Sequence, residues 1–429
     1  MSMILESTSS LKGEITIPGD KSISHRAVML GSLAEGDTYI HNFLNGDDCI
    51  STINCFRAMG IDIDTSDPGN IIVHGKGLYG LNAPENDLDV GNSGTTIRIL
   101  SGILAAQPFN SVITGDDSIT RRPMGRIIEP LSEMGALISS KNNNDCAPLL
   151  IDGCPLKGMA YVSPVASAQV KSSILFAGMY ADGETSVTEP YLSRNHTEEM
   201  IRYFGGRVLS KDTTAMIFPE PRLKGQTVEV PGDLSSAAYF IAAALILPGS
   251  EILIKNVGVN HTRSGLLEVL KQMGADIELL NLRDEMEPCA DILVKTSDLK
   301  GVELERELIP TMIDEVPILA IIACFANGKT TISNAEELRI KESDRIAVIV
   351  ENLKKMGADI EEKPDGMIIY GGKPLHGAII GSRLDHRIAM SFAVAALAAE
   401  GRTEIIGSEC VNISYPGFYE DLFSLFPKK

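Results

Sequence analysis

The sequence lacks what a disulfide-bonded, metal-stapled or membrane-spanning protein needs. Its seven cysteines, Cys49, Cys55, Cys146, Cys154, Cys289, Cys324 and Cys410, are odd in number, scattered and never spaced C-x-x-C. That argues against a disulfide framework and against a zinc knuckle. The apolar stretches at 237–247 and 388–399, the second broken by Ser391, fall short of the ~20 residues that cross a bilayer, so no transmembrane helix is expected. The first ten residues, MSMILESTSS, have neither the basic flank and apolar run of a secretory signal nor the Arg-rich look of a transit peptide. A cytosolic protein is therefore expected. Basic charge is also scarce: 38 Lys and Arg stand against 57 Asp and Glu, and 38 − 57 gives −19, with a pI near 4.8. Such a surface repels phosphate backbones and anionic lipid, so neither a nucleic-acid nor a membrane partner is expected. An anionic ligand would need a local basic pocket.

What the chain has in quantity is ordinary globular material, 429 residues of which 44% are hydrophobic and 22% charged. At about 150 residues per domain, two or three domains are allowed, each able to bury a large core. The informative feature is internal similarity. The motif IPGD at 17–20 opens a stretch that ends in MGIDI at 59–63, and VPGD at 230–233 opens one that ends in MGADI at 273–277. The offset is 230 − 17 = 213 residues at the start and 273 − 59 = 214 at the end. Related endings recur at Met134, Phe204 and Met356, each followed by glycine and preceded by a helix-like pattern. A last helix is expected over 419–426. Glycine at these stops suits the left-handed C′ position, and β-rich runs follow. The repeat reads as helix, turn, strand, helix, glycine stop, strand, in six units of about 70 residues that make two halves of three. The segment GKT at 328–330 imitates the end of a phosphate-binding loop, but Ala323 stands where that motif needs its first glycine, and the repeat explains it as a turn.

Against the acidic background, basic residues gather where helices begin. KSISHR at 21–26 starts the first helix, with Ser22 as its expected cap and Arg26 one turn on. A helix N-terminus flanked by Lys and Arg suits an oxyanion. GNSGTTIR at 91–98 is a glycine-rich lead into another helix, where a ligand can approach backbone N–H groups. Arg121 and Arg122 precede Pro123, and the guanidinium fork suits carboxylate and phosphate. SAQVK at 167–171 and SRNHTE at 193–198 add hydroxyl, amide and cationic donors at two more helix starts. In the second half, ELRIKESDR at 337–345 places Lys341 and Arg345 four apart on one helical face, with Glu342 about 100° away from Lys341. Asp314 precedes a strongly apolar helix, for which a plain capping role is the alternative. His386 and Arg387 open an alanine-rich one.

With these motifs in place, the sequence resembles the 5-enolpyruvylshikimate-3-phosphate synthase family over essentially its whole length. GDKS at 19–22, SAQVK at 167–171, RNHTE at 194–198 and NHTR at 260–263 look like the variants of the family's second class. The resemblance implies a two-domain inside-out α/β barrel of six βαβαββ repeats, three per domain, helices inside and sheets outside. One domain is expected over 20–232 and the other over 1–19 with 233–429, with hinge crossings near 17–20 and 230–233. The implied activity is transfer of the enolpyruvyl group of phosphoenolpyruvate to the 5-hydroxyl of shikimate 3-phosphate. That reaction is an addition and elimination on the route to chorismate and the aromatic amino acids.

Carried over by motif, shikimate 3-phosphate contacts are implied for Lys21, Ser22, Arg26, Ser167, Ala168, Gln169, Arg194, Asp314 and Lys341. Phosphoenolpyruvate contacts are implied for Lys21, Gly94, Arg122, Gln169, Arg345 and Arg387. Catalytic roles fall to Asp314 at the 5-hydroxyl, Glu342 at the methylene carbon, and Lys21 and His386 on the phosphate side. No metal and no organic cofactor is expected, since arginines and lysines supply the charge stabilisation. The chain is expected to act as a monomer on these two small molecules. Gly94 lines the site of glyphosate, the family's inhibitor, and suggests sensitivity, although second-class motifs often accompany tolerance.

Two positions depart from the first-class pattern. Ile413 stands where many such members carry a lysine, and Ala168 replaces a common serine. The competing reading, the sister transferase acting on UDP-N-acetylglucosamine, is disfavoured. That family has asparagine at the place of Ser22 and a reactive cysteine in the loop matching 116–123, where none occurs here. A non-catalytic sugar-phosphate sensor is disfavoured by the presence of both Asp314 and Glu342.

Overall fold

Aspartate and serine caps set where the main helices start. In the computed structural model, which describes residues 1–284 and 286–427, thirteen α-helices are found among the described residues. They are α1 (Lys21–Leu33), α2 (Asp47–Ala58), α3 (Gly94–Leu104), α4 (Gly125–Glu133), α5 (Ala168–Gly178), α6 (His196–Tyr203), α7 (Leu234–Ile246), α8 (Gly265–Gln272), α9 (Ile309–Met312), α10 (Val316–Phe325), α11 (Arg345–Lys355), α12 (His386–Ala398) and α13 (Phe418–Ser424). Side chains of Asp20, Ser93, Ser167, Asp233, Asp344 and Asp385 accept backbone N–H groups at the starts of α1, α3, α5, α7, α11 and α12. Each satisfies a donor that a helix start leaves unpaired. Asp20, not Ser22, is thus the cap of α1. It accepts from the N–H of Ile23 at 2.9 Å, and Ser22 sits inside the first turn.

Two compact units make up the chain, Gly19–Val230 and Met1–Pro18 together with the residues from Pro231 onward. In the first, α1, α3 and α5 are buried almost throughout and packed side by side. Three four-stranded sheets cover them. The middle repeat shows the rule: Leu88–Asp89, α3, Asn110–Thr114, α4, Leu137–Ser140, Leu149–Asp152. Its first two strands pair in parallel and the rest antiparallel, which is βαβαββ. Along these strands buried and exposed residues alternate, one face on the helices and one in water. The repeat containing α1 takes its parallel strand, Thr227–Glu229, from the far end of the unit, which closes the set of three.

The second unit repeats the plan around α7, α10 and α12, which are apolar almost all round and correspondingly buried. Strand Lys12–Thr16 pairs in parallel with Glu251–Gly258. The last repeat departs from the rule. After Arg402–Ile406 the chain forms a 3-10 turn and then α13, and the antiparallel strand is Ser2–Glu6 from the N-terminus. The final helix therefore starts one residue earlier than expected and ends at Ser424.

The glycines of the paired PGD segments are both crowded, to different degrees. A Cβ on Gly19 would lie 1.9 Å from the Asn42 carbonyl oxygen, and one on Gly232 would lie 2.8 Å from Ile17 Cγ1 and 3.1 Å from the Asn256 oxygen. Close backbone approach requires glycine at Gly19, whereas Gly232 is crowded by a side chain and only tightly approached by a backbone oxygen. Gly328 has φ +100° and leads into strand Lys329–Ile332, so the GKT segment is a turn without a helix start for phosphate.

One described run, Arg306–Phe325, is long and apolar enough to cross a membrane, a feature that the sequence reading passed over. It is built of alternating 3-10 and α segments and is two thirds buried inside the protein, as a core helix is.

Candidate active site

In the unit Gly19–Val230, the first turns of α1, α3, α5 and α6 bring basic side chains together. Lys21 is 3.0 Å from Asp48 on α2, and only 15% of its side chain is exposed. Arg26 is buried. Its Nε donates to Thr197 Oγ1 at 2.6 Å, Nη1 to the Ser22 carbonyl at 3.0 Å, and Nη2 to Ser172 Oγ at 2.8 Å. Arg194, half-buried, donates to Ser22 Oγ at 3.0 Å. The structure therefore joins Ser22, Arg26 and Arg194 in one network. Ser167 caps α5, and Ala168 opens that helix with its carbonyl accepting from Ser172 Oγ at 2.5 Å.

A second cluster in the same unit surrounds the start of α3. A Cβ on Gly94 would meet Arg122 Nη1 at 3.0 Å and Arg98 Nη1 at 3.2 Å, so two guanidinium groups lie over a glycine at a helix N-terminus. Arg122 donates to Asn92 Oδ1 and Ser118 Oγ, each at 2.9 Å. Arg98 donates to Gln169 Oε1 at 2.5 Å, and the Gln169 amide donates to Thr95 Oγ1 at 3.0 Å. Helix N-terminus, missing side chain and paired arginines together make a seat for an anion. Arg98, which ends the glycine-rich motif, is absent from the substrate contacts that the resemblance implies. Lys171, by contrast, is not a donor for a ligand. Its ammonium sits 3.0 Å from Glu189 and 2.9 Å from Glu198, and all three side chains are buried.

In the other unit, Asp314 lies in a 3-10 turn before α10, where Glu315, not Asp314, is the residue preceding the helix, and no side chain caps it. The Asp314 carboxylate is 3.6 Å from Arg345 Nη1 and 3.6 Å from Arg387 Nη2, ion-pair distances too long for hydrogen bonds. Arg345 is gripped by Asp385 at 2.8 Å and by Glu342 at 2.6 Å. His386, buried, is the first residue of α12, beside Arg387.

Lys341 does not share a helix face with Arg345. The 3-10 turn Glu336–Ile340 ends at Lys341, and α11 begins only at Arg345 after an Asp344 cap. Charge still brings Lys341 into the group. Burial of its ammonium pulls the pKa down, Asp314 and Glu337 pull it back, and the net shift is downward. Arg345 and Arg387 move the other way. Burial lowers both, but Asp385 and Glu342 around the first, and Asp314 and Glu315 around the second, outweigh it and keep the guanidinium groups charged. Ile413 packs against the apolar core of this unit.

Sequence reasoning missed a third part of this cluster. Arg263 holds Glu315 through Nη1 at 3.2 Å to both carboxylate oxygens, and donates through Nη2 to Ser235 Oγ at 2.5 Å and Asp233 at 3.3 Å. Ser235 in turn donates to Glu315. Glu315 is also 3.8 Å from Arg387. The signal was present in the NHTR motif and in Asp233, the repeat partner of Asp20.

The family model described as EPSP synthase (3-phosphoshikimate 1-carboxyvinyltransferase) matches residues 5–422. The chain is 59% identical over 411 residues to a 3-phosphoshikimate 1-carboxyvinyltransferase of Thermoanaerobacter pseudethanolicus, covering 96% of each chain. It is 54% identical over 420 residues to that of Geobacillus kaustophilus, covering 97% of this chain and 98% of the relative. Among solved structures, an EPSP synthase from Acinetobacter baumannii superposes with a TM-score of 0.88 at 46% identity, over 99% of this chain and 98% of the other.

Proposed function

The chain belongs to the EPSP synthase family, and from that premise we propose how its residues divide the reaction. The protein is a 3-phosphoshikimate 1-carboxyvinyltransferase of the shikimate pathway. It transfers the enolpyruvyl group of phosphoenolpyruvate to the 5-hydroxyl of shikimate 3-phosphate and releases phosphate. Its fold is the inside-out α/β architecture of that family.

In the proposed division, Lys21, Ser22, Arg26, Ser167, Ala168, Gln169 and Arg194 receive shikimate 3-phosphate, together with Asp314 and Lys341. Lys21, Gly94, Arg122, Gln169, Arg345 and Arg387 receive phosphoenolpyruvate. We add Arg98, which faces Gly94 beside Arg122. Asp314 takes the proton of the 5-hydroxyl as its oxygen attacks C2, and Glu342 delivers a proton to C3. Lys21 and His386 assist as the tetrahedral intermediate expels phosphate, while Glu342 takes a proton back from the C3 methyl group so that the C2=C3 double bond re-forms. Glu342 is engaged with Arg345 at 2.6 Å, so the carboxylate of phosphoenolpyruvate competes with it for that guanidinium. On binding, the substrate would free the acid for the carbon it must protonate.

The observation that carries this reading is the Asp314 carboxylate between two buried arginines, 3.6 Å from each. Two buried guanidinium groups hold a base there in place by charge. Phosphate release from phosphoenolpyruvate with shikimate 3-phosphate, and not with UDP-N-acetylglucosamine, is the test of substrate. The reading calls for no metal or organic cofactor, because preorganised cations stabilise the developing charge; loss of turnover after chelator treatment would oppose it. A monomer acting in the cytosol is proposed; the acidic balance, 38 basic against 57 acidic side chains, favours neither a nucleic-acid nor an anionic-membrane partner. Light scattering at assay concentration checks the monomer.

A further inference from the structure

The buried group of Lys171, Glu189 and Glu198 lies beside the residues assigned to shikimate 3-phosphate. Glu189 follows the strand Thr185–Thr188 and is buried. One of its oxygens, Oε1, accepts the backbone N–H of Ser167 at 2.8 Å. The other, Oε2, accepts the hydroxyl of Ser193 at 2.8 Å and is 3.0 Å from Lys171 Nζ. Lys171 also donates to the Ser193 carbonyl at 3.3 Å and meets Glu198 Oε1 at 2.9 Å. A single carboxylate therefore bridges the segment that caps α5 and the segment that carries Arg194.

We propose that Glu189 is a positioning residue for shikimate 3-phosphate, using its two oxygens to hold the Ser167–Gln169 turn and the Ser193–Arg194 turn at a fixed separation, with Lys171 holding Glu189 in turn. This rests on the substrate assignment above and deepens it. Two loops that must grip the same phosphorylated ring have no strand or helix in common, and their hydrogen-bonding groups need a common rigid partner to stay aligned. A buried carboxylate is costly unless it is paired and hydrogen-bonded, and here it is both. Lys171 keeps its charge: burial lowers its pKa, but Glu198 and Glu189 outweigh that and raise it overall. Glu198 supplies the second counter-charge and touches neither Ser167 nor Ser193 in any of these bonds.

That asymmetry gives the experiment. Glu189→Gln and Glu198→Gln each remove one of the two carboxylates facing Lys171 and leave the same net charge, so a role confined to balancing that lysine predicts equal consequences for both. The proposal predicts that Glu189→Gln raises the KM for shikimate 3-phosphate about tenfold or more while the KM for phosphoenolpyruvate moves less than about twofold. Glu198→Gln should leave both constants within about twofold of the wild type. Melting temperatures of the two variants, measured alongside, show whether they are equally folded. If Glu189→Gln does not fold, Ser193→Ala removes one arm of the bridge without touching the ion pairs, and the same selective rise in KM is expected. Equal KM values for shikimate 3-phosphate in the two glutamine variants, or an unchanged one in Ser193→Ala, would overturn the proposal. Absence of turnover in the wild type with both substrates would instead overturn the underlying substrate assignment, and the two failures are distinct.

Discussion

Arg345 and Asp385 are locked together out of reach of water, with Nε 2.8 Å from Oδ2 and Nη2 3.3 Å from Oδ1. The same carboxylate accepts the backbone N–H of Arg387 at 3.0 Å, as the cap of α12, and the hydroxyl of Ser343 at 3.0 Å. One aspartate therefore fixes the side chain of one proposed phosphoenolpyruvate arginine and the backbone of the other. Truncating one partner of a buried ion pair typically costs ~3–5 kcal/mol. Asp385→Ala should lose stability of that order in urea unfolding. Asp385→Asn should stay folded with a raised KM for phosphoenolpyruvate. An alanine variant as stable as the wild type would show that the pair is not what orders this end of α12.

Asp314→Asn tests the base. The amide keeps the shape of the side chain but has no basic oxygen, so both substrates should still bind by calorimetry. Turnover should fall about 10²–10⁴-fold, the usual contribution of general acid–base catalysis. A variant with near wild-type kcat removes Asp314 from the proton transfer.

Gly94→Ala tests the anion seat at the start of α3. The new Cβ would lie 3.0 Å from Arg122 Nη1 and 3.2 Å from Arg98 Nη1, so it must displace the tips of two arginines by a few tenths of an ångström. These are the ends of flexible side chains, and melting should hardly change. Binding in the seat should weaken, and glyphosate, longer than phosphoenolpyruvate, should lose more affinity than the substrate. The ratio of the inhibition constant to the phosphoenolpyruvate KM is the readout; an equal ratio in the two proteins refutes the argument.

The sequence was most legible where one repeat could be compared with another. The PGD pair at 17–20 and 230–233 lies where the chain leaves one compact unit for the other, between Pro18 and Gly19 and between Val230 and Pro231. Motif positions such as Arg26, Gln169, Arg345 and Arg387 were legible as residues, but their partners were not. Whether a lysine faces a substrate or a carboxylate is decided by tertiary packing, and Lys171 was read as a donor when Glu189 and Glu198, far along the chain, had already claimed it. Spacing also misled at Lys341, where the i, i+4 rule presumed a continuous helix that breaks before Asp344. The Arg263–Glu315 pair was hidden for the same reason, since 52 residues separate its members.

His25 supplies a pH test of the buried network behind α3. Its side chain is fully buried, with Nδ1 2.7 Å from Thr52 Oγ1, which is 2.7 Å from Thr96 Oγ1, which in turn donates to the α3 cap Ser93 at 2.7 Å. Burial first, then the positive charges of Lys21 and Arg26, hold its pKa well below the usual histidine value. The unfolded chain therefore binds a proton at His25 near pH 6.5 while the folded chain stays neutral to much lower pH. Between those limits unfolding takes up a proton, so stability falls as the pH drops and is recovered as it rises through about 6.5. From pH 7.5 to 5.5 this one residue should therefore lower stability. His25→Gln, which does not titrate, should have lower stability at pH 7.5 but a shallower decline, so that its curve approaches that of the wild type on acidification. Urea unfolding at several pH values measures both. Parallel curves across that range would mean that the folded protein binds the proton as readily as the unfolded chain, and that His25 is not held neutral.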